Sequence, residues 1–204
     1  MKAILSSLLA ACVLVTAAGS ASAADQTIQG KSITVKDPQP GVDPTARLIS
    51  ASAHEIQSPE TIVGNPTLPG SAGGAILQLI ANGTNPTSQI FNLPQGNSIN
   101  GKPFWVAVGA TGFRYKDAKG EQGPVKLVTI KRTPGSIFSV KATVSGKNGL
   151  VTVLPPNLGT DAYLTLSITG GDRYCVKFGA DGKVSNTGPK AFKVTKPELE
   201  GCPP

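Results

Sequence analysis

The chain of 204 residues holds one histidine, one tryptophan, one methionine and three cysteines, so it is poor in the side chains that relay protons, ligate metals or carry sulfur chemistry. A Ser-His-acid triad would have to be built on His54, with Glu55, Glu60 or Asp43 as its acid. No His-x-His, HExxH or Cys-x-x-Cys spacing occurs, which excludes the usual zinc frameworks. The nearest approach to a nucleophile elbow, Pro69-Gly70-Ser71-Ala72-Gly73, lacks the first glycine of G-x-S-x-G. Most carboxylates stand in turns beside glycine, where capping of backbone amides accounts for them without glycosidase chemistry. No Asp-rich loop with alternating ligands suggests calcium. These absences predict a protein with no metal and no cofactor that works as a binding or structural module, and leave a hydrolase built on His54 with a loop carboxylate as the rival reading.

Sustained helical periodicity is also missing beyond the N-terminal segment. Glycine (24) and proline (17) together make up a fifth of the chain, a share that suits short strands and turns. The apolar fraction of 39% is too high for a disordered chain and implies a packed core. Period-2 alternation dominates what is present. It is clearest in Tyr163-Leu164-Thr165-Leu166-Ser167-Ile168 and in residues 137–144. Further strands are expected at 31–36, 45–52, 75–80, 88–93, 103–108, 112–117, 124–132, 173–178 and 191–195. Asn148-Gly149 before Leu150-Val151-Thr152-Val153-Leu154 predicts a tight hairpin. About a dozen short strands point to an all-β fold, an antiparallel β-sandwich. Two polar loops, 53–73 and 94–103, interrupt the strand pattern, and the first is long for a connection in a compact domain.

Lys2, an apolar stretch from Ala3 to Ala18, and Ala21-Ser22-Ala23 ahead of Ala24 form the three parts of a secretory signal, so residues 1–23 are expected to be removed and 24–204 to be one secreted or periplasmic domain. The apolar run is short for a bilayer span. Leu9-Ala10-Ala11-Cys12 offers a second reading, a lipidated protein anchored to the membrane through Cys12. Against it, Cys12 leads into apolar Val13-Leu14-Val15 where a polar tether is usual. Cleavage at Ala23 leaves Cys175 and Cys202, an even count in an oxidising compartment, and predicts a disulfide that ties down the tail 197–204.

Charge is unevenly spread. Nine cations lie between Lys102 and Lys147 against Asp117 and Glu121, and the rest of the exported chain is close to neutral. Such a segment attracts anionic polymers, above all acidic polysaccharide of the cell envelope. No intracellular nucleic acid is expected as partner. The candidate site is Lys126, Lys131, Arg132 and Lys141, with Trp105 and Tyr115 as stacking rings. Lysines that only keep strand edges from pairing are the simpler alternative.

An internal echo divides the domain. Trp105-Val-Ala-Val-Gly-Ala-Thr-Gly112 returns as Cys175-Val-Lys-Phe-Gly-Ala-Asp-Gly182, and Val35-Lys36-Asp37 with Arg47-Leu48-Ile49-Ser50 returns as Tyr115-Lys116-Asp117 with Lys126-Leu127-Val128-Thr129. Two related halves, approximately 31–112 and 113–196, are expected. Alternation places Phe104, Val106 and Val108 on the core face, and Tyr174, Val176 and Phe178 likewise. Trp105 is then expected to point the other way, under loop 53–73 or into solvent.

Several of these motifs, with Leu93-Pro94, Gly123-Pro124-Val125-Lys126, Phe192-Lys193 and the closing Cys202-Pro203-Pro204, resemble a group of exported β-rich proteins of environmental bacteria. The resemblance spans nearly the whole exported chain and implies export and a β-rich fold. It carries over no activity and no site residue.

Overall fold

A computed structural model describes residues 23–179, 183–195 and 201–203; the segment 1–22 with Cys12, the Asp181-Gly182 turn and most of the tail lie outside the described residues. Thirteen strands follow one another: β1 (Asp25–Thr27), β2 (Gly30–Lys36), β3 (Leu48–Glu55), β4 (Ala75–Gly83), β5 (Thr87–Leu93), β6 (Trp105–Ala107), β7 (Gly112–Lys116), β8 (Val125–Arg132), β9 (Phe138–Ser145), β10 (Gly159–Ile168), β11 (Arg173–Phe178), β12 (Lys183–Thr187) and β13 (Ala191–Thr195). They form a sandwich of a small sheet, β1-β11-β10-β4-β5, and a large one, β12-β13-β2-β3-β9-β8-β7-β6. All pairings are antiparallel except that of β1 with β11.

Alternation explains the layers. Leu77 and Leu79 of β4, Leu164 and Leu166 of β10, and Val176 and Phe178 of β11 are buried from one side. Ile33 and Val35 of β2, Ile49 of β3, Val128 and Ile130 of β8, and Val140 and Val144 of β9 are buried from the other. All join one apolar cluster, and Phe138 of β9 stacks on Tyr174 of β11 across it, ring centres 5.7 Å apart. Each sheet takes strands from both segments, 31–112 and 113–196, so they share a single core. The second echo falls on the hairpins β2–β3 and β7–β8, which flank β9. The first echo is split between the sheets, Trp105 in β6 and Cys175 in β11.

The hairpin expected at Asn148-Gly149 does not form. β9 already pairs with β3 on one side and β8 on the other, so it has no edge left for residues 150–154. A 3₁₀ turn over Gly146–Asn148 instead directs the chain across to the small sheet. There Val151 and Val153 are buried, and side chains of edge strand β5 replace a ladder. Gln89 accepts from Thr152 N at 2.7 Å and donates to Leu150 O at 3.0 Å, and Thr87 Oγ1 accepts from Leu154 N at 2.9 Å. From the position just before β3, Arg47 Nη1 donates to Val151 O.

The loop after β3 covers the small sheet near Tyr174 and Asp172. The Tyr174 hydroxyl accepts from Val63 N at 2.6 Å, Asp172 N donates to Val63 O, and Ile62 packs on the core. A Cβ on Gly171 would stand 2.2 Å from Val63 O, so this approach requires glycine.

Cys175 is bonded to Cys202, closing a span of 27 residues. Replacing Cys202 by serine is expected to lower stability by about 3 kcal/mol, read as a lower midpoint of urea unfolding. Reduction of the native protein should reproduce that midpoint.

Candidate functional site

The eight strands of the large sheet hold ten cations and a single carboxylate. That carboxylate, Glu55, is buried and accepts a hydrogen bond from Gln29 N. Nine of the cations are exposed: Lys31, Lys36, Arg114, Lys116, Lys126, Lys131, Lys141, Lys183 and Lys193. Among the described residues the ion pairs are Arg47–Asp37 and Arg173–Asp25, and neither uses one of these nine.

Strand register sorts this outer face into rows. One runs through all eight strands: Lys183, Thr195, Ser32, Ser52, Lys141, Thr129, Arg114, Val106. The next runs from Ser185 through Lys193, Thr34, Ser50, Thr143 and Leu127 to Lys116. Ser32 and Ser52 are hydrogen-bonded at 3.2 Å. The strand spacing makes the eight-strand row roughly 34 Å long. The face therefore presents hydroxyl groups interspersed with unpaired cations.

Lys131 and Lys141 lie on this face, and Lys126 is exposed beside it where the β8–β9 register shifts between Val125 and Leu127. Arg132 does not belong with them. Successive residues of a strand point to opposite faces, so Arg132 follows Val128 and Ile130 inward, where its Nη2 donates to Ser136 Oγ at 3.1 Å and its Nε is buried without a hydrogen-bond partner.

Trp105 and Tyr115 are not stacking platforms. They are 2% and 1% exposed, face each other across the β6–β7 pair, and pack with ring centres 5.4 Å apart. Phe104 stacks on Tyr115 with ring centres 5.9 Å apart. Trp105 Nε1 donates to Leu93 O at 3.0 Å, so the indole enters the core with its polar group satisfied. The expected orientation is reversed: Val106 lies outward opposite Arg114, and Phe104 is buried just before the strand begins. Burial, reinforced by the nearby Asp117, pushes the Tyr115 phenol above its ordinary range.

At the β6–β7 end of the face lies a pocket of about 460 Å³. Its walls carry Lys102, Arg114, Lys116 and Lys119 over an apolar floor of Phe104 and Val106. The two carboxylates that line it are held by backbone amides. Asp117 accepts from Gly120 N, Glu121 N and Gln122 N at 2.7–3.0 Å, and Glu121 accepts from Ile99 N at 2.7 Å. Four cations against two carboxylates leave the pocket with a positive surplus.

No family model, curated protein or solved structure matches the chain.

His54 stands on the same outer face, at the end of β3 opposite Ser139. Among the described residues, the shallow cleft that it lines with Lys31, Ser32, Lys193 and Thr195 holds no carboxylate. Glu55 points inward from the next position, Asp43 caps a turn beyond the other end of β3, and Glu60 lies in the loop near Glu55 and Asp172. None of the three acids is set beside His54 as a triad would require.

Lys31, Lys36, Lys183 and Lys193 escaped the sequence reading because they belong to segments of near-neutral charge and join the face only through strand pairing. The pocket cations Lys102, Arg114, Lys116 and Lys119 were visible as charge but not as a concavity. A burial test follows from the Trp105 geometry: tryptophan emission of the folded protein should be blue-shifted and resistant to iodide quenching, and should become quenchable on unfolding.

Proposed function

We propose that the protein is a non-enzymatic, secreted or periplasmic binding module of the cell envelope that holds acidic polysaccharide on the outer face of its large sheet. The observation that carries this reading is the charge segregation: nine exposed cations and no exposed carboxylate on the eight strands of one sheet. An anionic chain laid along the hydroxyl and lysine rows gains charge-assisted hydrogen bonds from the cations and neutral ones from serine and threonine. The pocket bounded by Lys102, Arg114, Lys116 and Lys119 is the expected seat for one acidic sugar unit, its ring against Val106. The disulfide accords with an oxidising compartment, and no described helix is long and apolar enough to cross a membrane.

Retention on acidic polysaccharide tests the reading, with a neutral polysaccharide and a synthetic polyanion as controls. The native protein should be retained at low salt and released as screening shortens the Debye length. Lys131→Ala/Lys141→Ala and Arg114→Ala/Lys116→Ala should each bind about threefold to thirtyfold more weakly, whereas Lys177→Ala on the small sheet should bind as the native protein does. Equal loss in all three variants, or retention on the synthetic polyanion alone, would identify simple ion exchange.

A further inference from the structure

The small-residue pattern Ala21-Ser22-Ala23 marks Ala24 as the first residue after signal cleavage. Its backbone nitrogen donates to Asp172 Oδ1 at 3.0 Å. Asp172, before β11, is 6% exposed. Its other oxygen accepts from Gln26 Nε2, and among the described residues it forms no ion pair. The adjacent Arg173 is held by both oxygens of Asp25, at 2.7 and 2.6 Å.

Among the described residues the surroundings add negative charge and no ion-pair partner for Asp172. Glu60 is held above the ordinary carboxyl range by burial first, then by Glu55 and Asp172. Tyr174, pushed up to about 12 mainly by burial, is neutral near neutral pH. A buried carboxylate without a counter-charge is costly.

We propose that signal cleavage between Ala23 and Ala24 supplies the missing cation, and that the new α-ammonium of Ala24 pairs with Asp172 and fastens β1 to β11. Hydrolysis adds water across the amide. The hydroxyl goes to the Ala23 carbonyl carbon and a hydrogen to the Ala24 nitrogen, which takes a further proton from solvent. The donor that faces Asp172 as an amide thereby becomes a charged one. Ala23 is exposed, and a cleft of about 400 Å³ beside it leaves room for the added hydrogens. Downstream the strand is already set, since Arg173 N donates to Ala24 O at 2.9 Å and Gln26 Oε1 accepts from Thr61 N at 3.0 Å. Processing thus completes the end of the small sheet. This inference rests on the signal reading and is independent of glycan binding.

A free α-ammonium has a pKa of about 8, and a carboxylate partner raises it in the folded state. Its contribution is fully present below the unfolded value and is lost as pH rises through the folded one. The test compares a protein beginning at Ala24 with one that retains Ser22 and Ala23, and identifies the N-terminus of the protein exported from the full-length gene. The exported protein should begin at Ala24. At pH 7 the longer form should melt about 2–4 °C lower, with the gap closing as the ammonium deprotonates above pH ~9 and absent between the same two forms carrying Asp172→Asn. Equal midpoints at pH 7, a gap that persists at high pH, or export with another N-terminus would overturn the proposal. If Asp172→Asn does not fold, closure of the gap with pH still decides.

Discussion

The pairing of β9 on both sides is the constraint on which the rest of the architecture depends. With β3 on one side and β8 on the other, β9 joins the hairpins β2–β3 and β7–β8 into a continuous sheet. It also denies an edge to the residues that follow, so the chain must leave the large sheet after Ser145. Val151 and Val153 then enter the core from a crossing segment whose backbone is satisfied by Gln89, Thr87 and Arg47. This crossing lets one chain supply two layers around one core. The same saturation keeps the outer face of the large sheet uninterrupted from β12 to β6.

Charge follows the layering. Carboxylates close to the core are engaged locally: Asp37 accepts from Arg47, Asp117 accepts three amides, and Glu55 accepts from Gln29 N. Their engagement removes them as partners for the outer lysines. Edge protection explains lysine on β12, at the border of the sheet, where an unpaired strand would otherwise recruit another chain. It does not explain Lys141, which lies on β9 with neighbours on both sides, or Lys31 and Lys36 on the interior strand β2. Cations on interior strands face solvent and do nothing for edge pairing, so the distribution favours a surface with an electrostatic role.

Much of the fold was legible because the physical signal was local. Tyr163 to Ile168 alternates without interruption, and the two cysteines that lie outside the expected signal segment imply their own bond. Trp105 was misread because Phe104 to Val108 is apolar throughout, so alternation gives no phase, and the deciding contact, Leu93 O, is non-local. Asn148-Gly149 is a sound turn signal, but a hairpin also needs a free edge, and edges are a property of the whole sheet. Arg132 is different: two successive cations in a strand must point to opposite faces, so its separation from Lys131 was available from period 2 alone. The rows that join Lys193 to Thr34 and Ser52 to Lys141 depend on strand order, which no local pattern specifies.

The hydroxyl rows bear on what kind of anion suits the face. Like charges gathered on one surface repel one another and oppose compactness, an effect that added salt or a bound polyanion relieves. A face built only for charge would be served by lysine at every outward position. Here serine and threonine occupy most of the outward positions between lysines, and their hydroxyls can both donate and accept. A polymer that offers only anionic groups leaves that capacity to water. One that bears hydroxyls alongside its carboxylates or sulfates can use both sets, with spaced cations meeting spaced charges. The pocket at Arg114 and Lys116 continues the two rows into a concavity, so a chain aligned along them would reach a hollow with a positive surplus at one end of the sheet.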